Sequence, residues 1–139
     1  MTSLRLRLAL GVLAALTAGA PAFGQQPGNP APAAPQEAPA PYEPAMLRLA
    51  EIMGSLAYLR DLCGHGDGDS WRARMGTLVD SEGGSPARKE RIAGAYNRGF
   101  KAYETIYRAC TPNAEAIIHR YLTEAAALVR DIATRYGGG

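Results

Sequence analysis

A short glycine-rich segment contains the residues of this chain whose types and spacing most resemble those of a metal-binding site. It reads Cys63-Gly64-His65-Gly66-Asp67-Gly68-Asp69, so an imidazole and two carboxylates alternate with glycines that would let the backbone wrap an ion. A calcium loop of the EF-hand kind needs more oxygen ligands and a closing Glu at fixed spacing, and both are missing here. The sequence therefore favours a helix connector in which Asp69 or Ser70 caps the next helix, and His65, Asp67 and Asp69 remain weak metal candidates.

The only two cysteines, Cys63 and Cys110, raise the question of redox chemistry. Disulfide oxidoreductases usually carry a C-x-x-C pair at a helix N-terminus, where the helix dipole lowers a thiol pKa. Both cysteines are predicted here at helix C-termini, where the dipole disfavours a thiolate. Two thiols in an oxidising compartment, with no third to compete, are expected to form one structural disulfide. Two buried free thiols are the alternative.

Haem ligation is not favoured, and no cofactor is predicted. The chain has no C-x-x-C-H, so covalent attachment is excluded. His119 with Met46 or Met53 offers a noncovalent ligand pair. The methionines fall in the first half of the first predicted helix, however, and His119 falls near the opposite end of the domain.

An aromatic row and a set of arginines are the remaining candidates. Tyr96, Phe100, Tyr103 and Tyr107 are favoured as core, with a ligand groove or partner face as the alternative. Four arginines have acidic neighbours in helical sequence, which predicts solvated ion pairs rather than an anion site: Arg108, Arg120, Arg130 and Arg135. No Ser-His-Asp arrangement, paired-carboxylate motif or phosphate loop stands out, so catalysis is uncertain and not favoured.

Helix punctuation divides the chain from about residue 45 to 136 into four elements, and strand signals are absent. Gly64 stands where a helix C′ glycine belongs, and Ser85-Pro86 and Thr111-Pro112 each pair an N-cap side chain with a following proline. The predicted elements are helix 1 (45–63), a short helix 2 (70–81), helix 3 (86–110) and helix 4 (112–136).

Apolar residues recur at steps of three and four along the long helices, and both cysteines end such a stripe. Helix 1 has Leu49, Ile52, Leu56, Leu59 and Cys63; helix 3 has Ile92, Tyr96, Gly99, Tyr103, Ile106 and Cys110; helix 4 has Ile118, Tyr121, Ala125, Leu128, Ile132 and Tyr136. Pairing the cysteines places the C-terminal ends of helices 1 and 3 side by side. The predicted fold is a small all-α, up-down helical bundle of three long helices and one short helix, stapled by a disulfide worth roughly 4 kcal/mol.

The chain ends predict export. Residues 1–24 combine Arg5 and Arg7 with an apolar run and a small-residue cleavage context before Gln25, as in a signal peptide. The run is shorter than the roughly 20 apolar residues of a membrane-spanning helix, which makes a retained anchor the lesser alternative. Residues 25–44 contain seven prolines and are expected to be a disordered spacer rather than a recognition motif, and residues 137–139 form a flexible glycine tail.

The charge balance argues against a nucleic-acid partner. The chain has 15 Lys+Arg and 13 Asp+Glu, and the predicted cleavage removes Arg5 and Arg7, which leaves 13 of each. A neutral mature protein lacks the net basic character that nucleic-acid binding requires.

Three stretches resemble a known family: YNRGFKAYETIYRACTPNAEAIIHRYLTEAAALVRDIATRYG (96–137), LRDLCG (59–64) and WRARMGTLVDSE (71–82). They are similar to a group of small alphaproteobacterial exported proteins of unknown function, which is recognised by two well-separated cysteines with a presumed disulfide. The Cys-Thr-Pro step at 110–112 and the Arg-Tyr pairs at 120–121 and 135–136 are the most specific parts. The resemblance implies the same fold and export for residues 42–137, and it brings no catalytic residue.

Two function classes follow from the sequence. The first is a noncatalytic periplasmic or cell-envelope protein that binds an unknown envelope protein or surface through a bundle face. The second is a small-ligand or metal-binding carrier, or an enzyme, that uses the His65–Asp69 loop or the aromatic face of helix 3. The first is favoured because no catalytic constellation is present.

Overall fold

The computed structural model of the protein describes residues 38–82 and 84–137, and these residues form four α-helices and no β-strand. The helices are α1 (Glu43–Leu62), α2 (Gly68–Glu82), α3 (Pro86–Glu104) and α4 (Pro112–Tyr136), of 20, 15, 19 and 25 residues. The all-α prediction is thus confirmed. The predicted signal segment 1–24, most of the spacer 25–44 and the last two tail residues lie outside the described part of the chain.

The helix ends that are marked by a capping residue lie where the sequence predicts them. Ser85 Oγ accepts a hydrogen bond from Arg88 N–H at 3.2 Å, and Thr111 Oγ1 accepts one from Ala114 N–H at 3.1 Å. A proline follows each cap, where its fixed φ suits a first helical turn. Gly64 follows the end of α1 with φ +80°, a conformation that a residue with a Cβ rarely adopts.

Two predicted helix boundaries are wrong. Helix 3 ends at Glu104 instead of residue 110: the Ile106 N–H bonds to the carbonyl of Tyr103 three residues back, and the Tyr107 carbonyl accepts from the hydroxyl of Tyr58 on α1. Ile106, predicted as a core position, is 71% exposed in the turn that follows. Cys110 therefore precedes the first turn of α4 and does not end α3.

Helix α2 begins at Gly68 instead of residue 70, and neither Asp69 nor Ser70 precedes it as a cap. The first amide of α2 is satisfied from α1 instead, because Gly68 N–H donates to Asp61 Oδ1 at 2.8 Å. A Cβ at Gly68 would overlap the Asp61 carboxylate, so only glycine allows this close approach. Asp61 thus ties the start of α2 to the end of α1.

Helix α1 lies at the centre, and each of the other three helices packs against it. Its buried side chains surround the helix axis instead of forming the single stripe that the spacing predicts: Met46, Leu49, Ala50, Ile52, Met53, Ser55, Leu56, Ala57 and Leu59. None of the described helices, α1 included, is long and apolar enough to cross a membrane. Contacts with α2, α3 and α4 bury the side chains of α1.

The contact between α1 and α3 is the closest helix pairing in the domain. A Cβ at Gly54 would overlap the carbonyl oxygen of Tyr96, and a Cβ at Gly99 would overlap that of Glu51. Ala50 stands one turn before Gly54 in α1, so small residues line the crossing and the two backbones touch. The sequence predicts that helices 1 and 3 lie side by side and places Gly99 on the core stripe of helix 3, but it does not predict the contact of each glycine with the backbone of the other helix.

Ion pairs and rings give the directions of the helices around α1. Glu43, only 4% exposed, lies 2.9 Å from Arg91 Nε at the start of α3, and Tyr58 packs edge-on against Phe100 near its end, so α1 and α3 run in the same direction. Arg48 donates to Glu124 near the start of α1. Because the Tyr42 ring also lies against the Tyr136 ring, α4 runs antiparallel to α1.

Candidate functional site

A disulfide joins Cys63 to Cys110, as the sequence predicts. Cys63 is the residue that ends α1, and Cys110 immediately precedes Thr111, the N-cap of α4. The two Cα atoms are 4.8 Å apart, within the range of roughly 4.4–6.8 Å that bonded cysteines require. The bond therefore links the end of the central helix to the start of the last one, across a sequence separation of 47 residues.

The loop between α1 and α2 turns its three candidate metal ligands toward three different partners. Asp67 accepts hydrogen bonds from Arg60 Nε at 2.9 and 3.0 Å, and this interaction lowers the pKa of its carboxyl. Asp69 pairs with Arg72 inside the first turn of α2. His65 points the other way, with its Nε2 3.8 Å from a carboxylate oxygen of Glu115. The three side chains do not converge on one point.

Glu115, the neighbour of His65, lies beside the disulfide. Glu115 is in the first turn of α4, where its N–H donates to the Thr111 carbonyl, and its Oε1 is 3.4 Å from Cys110 Sγ. An oxidised sulfur has no proton to donate, so this approach is a contact and not a hydrogen bond. One carboxylate thus contacts the disulfide, and the His65 imidazole lies next to that carboxylate.

The aromatic row of helix 3 also separates in the structure. Tyr96 is buried against α2, and its hydroxyl finds no hydrogen-bond partner among the described residues. Phe100 packs on Tyr58 of α1, while Tyr103 packs edge-on against Tyr121 of α4. Tyr107 lies beyond the end of α3. The four rings serve contacts with three different helices, and the structure does not assemble them into a single face.

Two tyrosine hydroxyls connect α3 to α4, whose Cα atoms do not come within 8 Å of each other. The hydroxyls of Tyr103 and Tyr121 are 2.7 Å apart, and burial together with this bond raises the pKa of Tyr103. Tyr58 of α1 donates to the carbonyl of Tyr107 at 2.5 Å, and Asn113 at the start of α4 donates to the Tyr107 hydroxyl. This polar layer holds the turn between α3 and α4 against the central helix.

The residues weighed as haem ligands and as an anion site are also apart. Met46 and Met53 are buried in the core, whereas His119 is exposed on α4. Of the four arginines, Arg135 pairs with Asp131 one turn away, as expected for a solvated ion pair. Arg120 stacks over the ring of Tyr121 instead of pairing with a carboxylate.

An apolar groove between α2 and α4, here called the α2/α4 groove, was not predicted from the sequence. The Cα atoms of the two helices remain more than 8 Å apart along their whole length. Two adjoining cavities of about 320 and 360 Å³ occupy the gap. They share Leu49 of α1, Leu78 of α2 and Val129 of α4 as lining residues, so together they form one continuous depression.

The α2/α4 groove is apolar along its middle and polar at its ends. Val129 on its wall is 50% exposed, and Tyr136 near one end is 44% exposed. Glu82, which accepts a hydrogen bond from Tyr42, lies at that same end, and Arg74 lies at the other beside the ring of Trp71. No sequence signal marks this groove, because residues from three separate helices form it. Val129 also falls beside the predicted stripe of helix 4.

The region that holds the disulfide and the groove matches one known family. Residues 41–136 match a family described as protein of unknown function (DUF2385). The chain belongs to this family. The match includes all four helices and both cysteines, which confirms the resemblance to a family of unknown function, whereas the bacterial group and the export that the resemblance implies stay predictions. No curated protein matches the chain, and no solved structure matches it either.

Proposed function

We propose that this chain is a noncatalytic protein of the bacterial cell envelope, which is exported to the periplasm by a cleaved signal and holds a partner in its α2/α4 groove. The folded part is a small up-down helical bundle of three long helices and one short helix, set off by the proline-rich spacer. The observation that carries the proposal is the groove itself, an apolar depression with Val129 half exposed on its wall. Exposed apolar surface of this kind, with polar ends, is typical of interaction sites.

The dimensions of the groove fit one kind of occupant, an amphipathic helix of another envelope protein. The wall contributed by α4 runs from Leu122 to Tyr136, about 21 Å at the 1.5 Å rise of a helix. That length accommodates about four turns of a partner helix, whose apolar side chains at helical spacing would lie on Leu78 and Val129. The groove floor and both walls are themselves helical, so ridges of an incoming helix meet grooves of the right spacing.

The charges at the two ends give the occupant a direction. Glu82, whose carboxylate lies 3.7 Å from the Arg88 guanidinium of α3, is at the end where α2 and α4 terminate, and Arg74 lies toward the end where they begin. A helix N-terminus carries partial positive charge and favours a carboxylate, whereas the C-terminus favours a cation. The partner helix therefore starts near Glu82 and runs antiparallel to both α2 and α4, which is the preferred arrangement of neighbours in helical bundles.

Site-specific photo-crosslinking in the native cell tests this assignment. Val129 is replaced by p-benzoylphenylalanine, and the matched control carries the same group at Ile106, an equally apolar residue that is 71% exposed outside the groove. We expect the Val129 position alone to crosslink to a segment of another protein whose apolar residues recur at steps of three and four. The proposal is wrong if crosslinks form only with a second copy or another segment of this chain, if both positions give the same products, or if neither reacts.

A synthetic peptide of the crosslinked segment then gives the affinity. We expect Val129→Asp to weaken peptide binding at least tenfold, because it places a carboxylate in the apolar middle of the groove. Ile106→Asp makes the same chemical change elsewhere and is expected to leave the affinity within twofold of the unaltered protein. Equal affinities for both variants would place the contact outside the groove.

Export is tested separately by mass spectrometry of the native protein. The positive start at Arg5 and Arg7 and the apolar run that follows support an N-terminus near Gln25 after processing. A full-length cytoplasmic species would overturn the assignment to the periplasm.

A further inference from the structure

Three metal-ligating side chains of the described residues lie together at the exposed end of the disulfide. The Sγ atoms of Cys63 and Cys110 and a carboxylate oxygen of Glu115 are all within 4.8 Å of one another. His65 stands outside this group, but its Nε2 is 3.8 Å from the second oxygen of Glu115, so a movement of its loop toward the sulfurs would make it the fourth ligand. Two sulfurs, one imidazole nitrogen and one carboxylate oxygen make up a donor set that suits Zn²⁺.

The fold fixes the donors by separate elements. Cys63 ends α1, and Glu115 is held in the first turn of α4 by its bond to the Thr111 carbonyl. His65 has its N–H bonded to the Arg60 carbonyl at 2.9 Å and stands between two glycines with positive φ, Gly64 and Gly66. A Cβ placed on either glycine would meet no other part of the domain within 4 Å, so the loop that carries His65 is not packed in on both sides of that residue.

We propose that reduction of the Cys63–Cys110 disulfide converts this corner into a zinc site with Cys63, Cys110, Glu115 and His65 as its ligands. In the oxidised protein the sulfurs carry no charge and are bonded to each other, so they cannot serve as thiolate ligands. In the reduced protein the sulfurs move apart to about 3.8 Å, the separation that two Zn–S bonds of about 2.3 Å give in a tetrahedron. Side-chain rotation supplies this change, because the Cα atoms are already only 4.8 Å apart.

The reaction balances with a dithiol as reductant. A thiolate of the dithiol attacks the exposed Cys110 sulfur, the bond to Cys63 breaks, and the second thiol of the reductant resolves the mixed disulfide. Two electrons and two protons pass to the protein, which becomes a dithiol while the reductant becomes a disulfide. Zn²⁺ then replaces the two thiol protons, which are released to solvent.

The surroundings give both reagents access. The side chains of His65 and Glu115 are 37% and 40% exposed, and Cys110 is exposed. The site lies at the turn between α1 and α2, whereas the α2/α4 groove is lined by residues that include none of its ligands. The zinc site is therefore independent of the function proposed for the groove. Its role is to join the end of α1 to the start of α4 when the covalent bond is absent.

Metal titration of the protein in its two redox states tests the proposal. The protein is reduced with a phosphine under anaerobic conditions and titrated with Zn²⁺ by calorimetry and with Co²⁺ by absorption spectroscopy. We expect one ion per reduced chain, with a thiolate-to-cobalt charge-transfer band and the d–d absorption of a tetrahedral site, and no stoichiometric ion in the oxidised chain. Absence of binding by the reduced protein, or the same binding by the oxidised protein, would overturn the site.

Variants distinguish a zinc site with four ligands from zinc that is bound by the two cysteine thiolates alone. Glu115→Gln and His65→Ala are each expected to weaken Zn²⁺ binding by the reduced protein at least tenfold. Asp131→Asn, which removes a half-buried carboxylate near the far end of the same helix, serves as the matched control and is expected to leave binding unchanged. If all three variants bind zinc as the unaltered protein does, Glu115 and His65 are not ligands and the proposal is wrong.

The reduced protein is followed by circular dichroism in the same titration, because loss of the disulfide can itself unfold the domain. If reduction lowers the helix content, we expect one equivalent of Zn²⁺ to restore it, since metal binding is then coupled to folding. If the helices persist after reduction, we expect zinc to raise Tm toward that of the oxidised protein. Zinc without effect on either quantity contradicts the proposal.

Discussion

The two sides of the central helix α1 are closed in opposite ways. Toward α3, Gly54 and Gly99 bring the backbones into contact, and no side chain separates them. Toward α2 and α4, long side chains such as Leu49 reach out from α1, and the flanking helices stay far enough apart to leave a groove. One helix thus supports a rigid contact on one side and an accessible apolar surface on the other. We infer that stability is concentrated in the α1–α3 contact and recognition in the α2/α4 groove.

Removing the disulfide, which joins α1 to α4, is expected to have the largest effect on stability. Cys63→Ser should lower the free energy of unfolding by roughly 2–5 kcal/mol, because the unfolded chain loses a cross-link over a sequence separation of 47 residues. Cys110→Ser and the double variant should give the same loss, since each removes the same bond. Urea denaturation measures the loss, and thiol titration of the oxidised, denatured protein should find no free thiol. Clearly different stabilities among the three variants would contradict this account.

Gly99→Ala tests the tight contact between α1 and α3 directly. The added methyl would overlap the Glu51 carbonyl oxygen, and because that atom belongs to a helix backbone, the two helices must separate. We expect a loss of about 3 kcal/mol, at the upper end of the usual cost of overpacking.

Gly94→Ala is the matched control in the same helix. Its nearest outside atom is the flexible end of Arg98, 3.6 Å away, so alanine should be tolerated and raise stability by up to about 1 kcal/mol through its better helix propensity. Similar denaturation midpoints for Gly94→Ala and Gly99→Ala would show that the backbones are not in contact.

The ion pair between Arg48 and Glu124 joins α1 to α4 and should give a small, pH-dependent contribution. Arg48 Nε donates to Glu124 Oε1 at 2.7 Å, and this bond holds the pKa of the Glu124 carboxyl below its usual value. A carboxyl with a lowered folded-state pKa stabilises the protein above its unfolded pKa of about 4.3, and the contribution disappears as the pH falls through the folded value.

Glu124→Gln should therefore cost less than about 1 kcal/mol at pH 7, because the pair is partly solvated, and the cost should vanish in acid. Urea denaturation at pH 7 and below pH 4 measures both. In an Arg48→Met background the same substitution should show no such pH dependence. Its persistence there would mean that another group is the partner of Glu124.

The smallest effect is expected in the groove. Val129→Asp should change the free energy of unfolding by no more than about 0.5 kcal/mol, because the side chain is half exposed and already in contact with solvent. Thermal denaturation of Val129→Asp and Gly99→Ala under the same conditions compares the loss of stability on the two sides of α1. A loss of stability as large as that of Gly99→Ala would mean that Val129 is packed in the core.

Local signals gave correct predictions where a single side chain decides the structure. Ser85 and Thr111 cap the helices that follow them, because a hydroxyl near an unpaired amide needs no distant partner. The apolar stripe of helix 3 was wrong at Ile106, because periodicity does not show that the helix ends at Glu104. The pairing of the cysteines was correct, but its assumed basis, two adjacent helix C-termini, was not, because Cys110 belongs to the start of α4.

Features that several helices form together could not be predicted in detail from the sequence. The cysteines predict that helices 1 and 3 are neighbours, but the sequence does not show that Gly54 and Gly99 bring their backbones into contact, because that depends on how the two helices cross. The α2/α4 groove had no sequence signal, because its existence depends on the distance between two helices that do not touch. The proximity of His65 to Glu115 likewise follows from the disulfide, which brings two remote segments together.

The contact of Tyr42 with Tyr136, whose ring centroids are 5.2 Å apart, has a topological consequence. It brings the entry and the exit of the helical domain to one pole of the molecule. A circular permutant that joins residues 42 and 136 through a few glycines, and opens the chain at the exposed Gly84, would keep all four helices in place. The same pole holds the Glu82 end of the groove, so a protein fused directly before Tyr42 or after Tyr136 is delivered to the mouth of that groove.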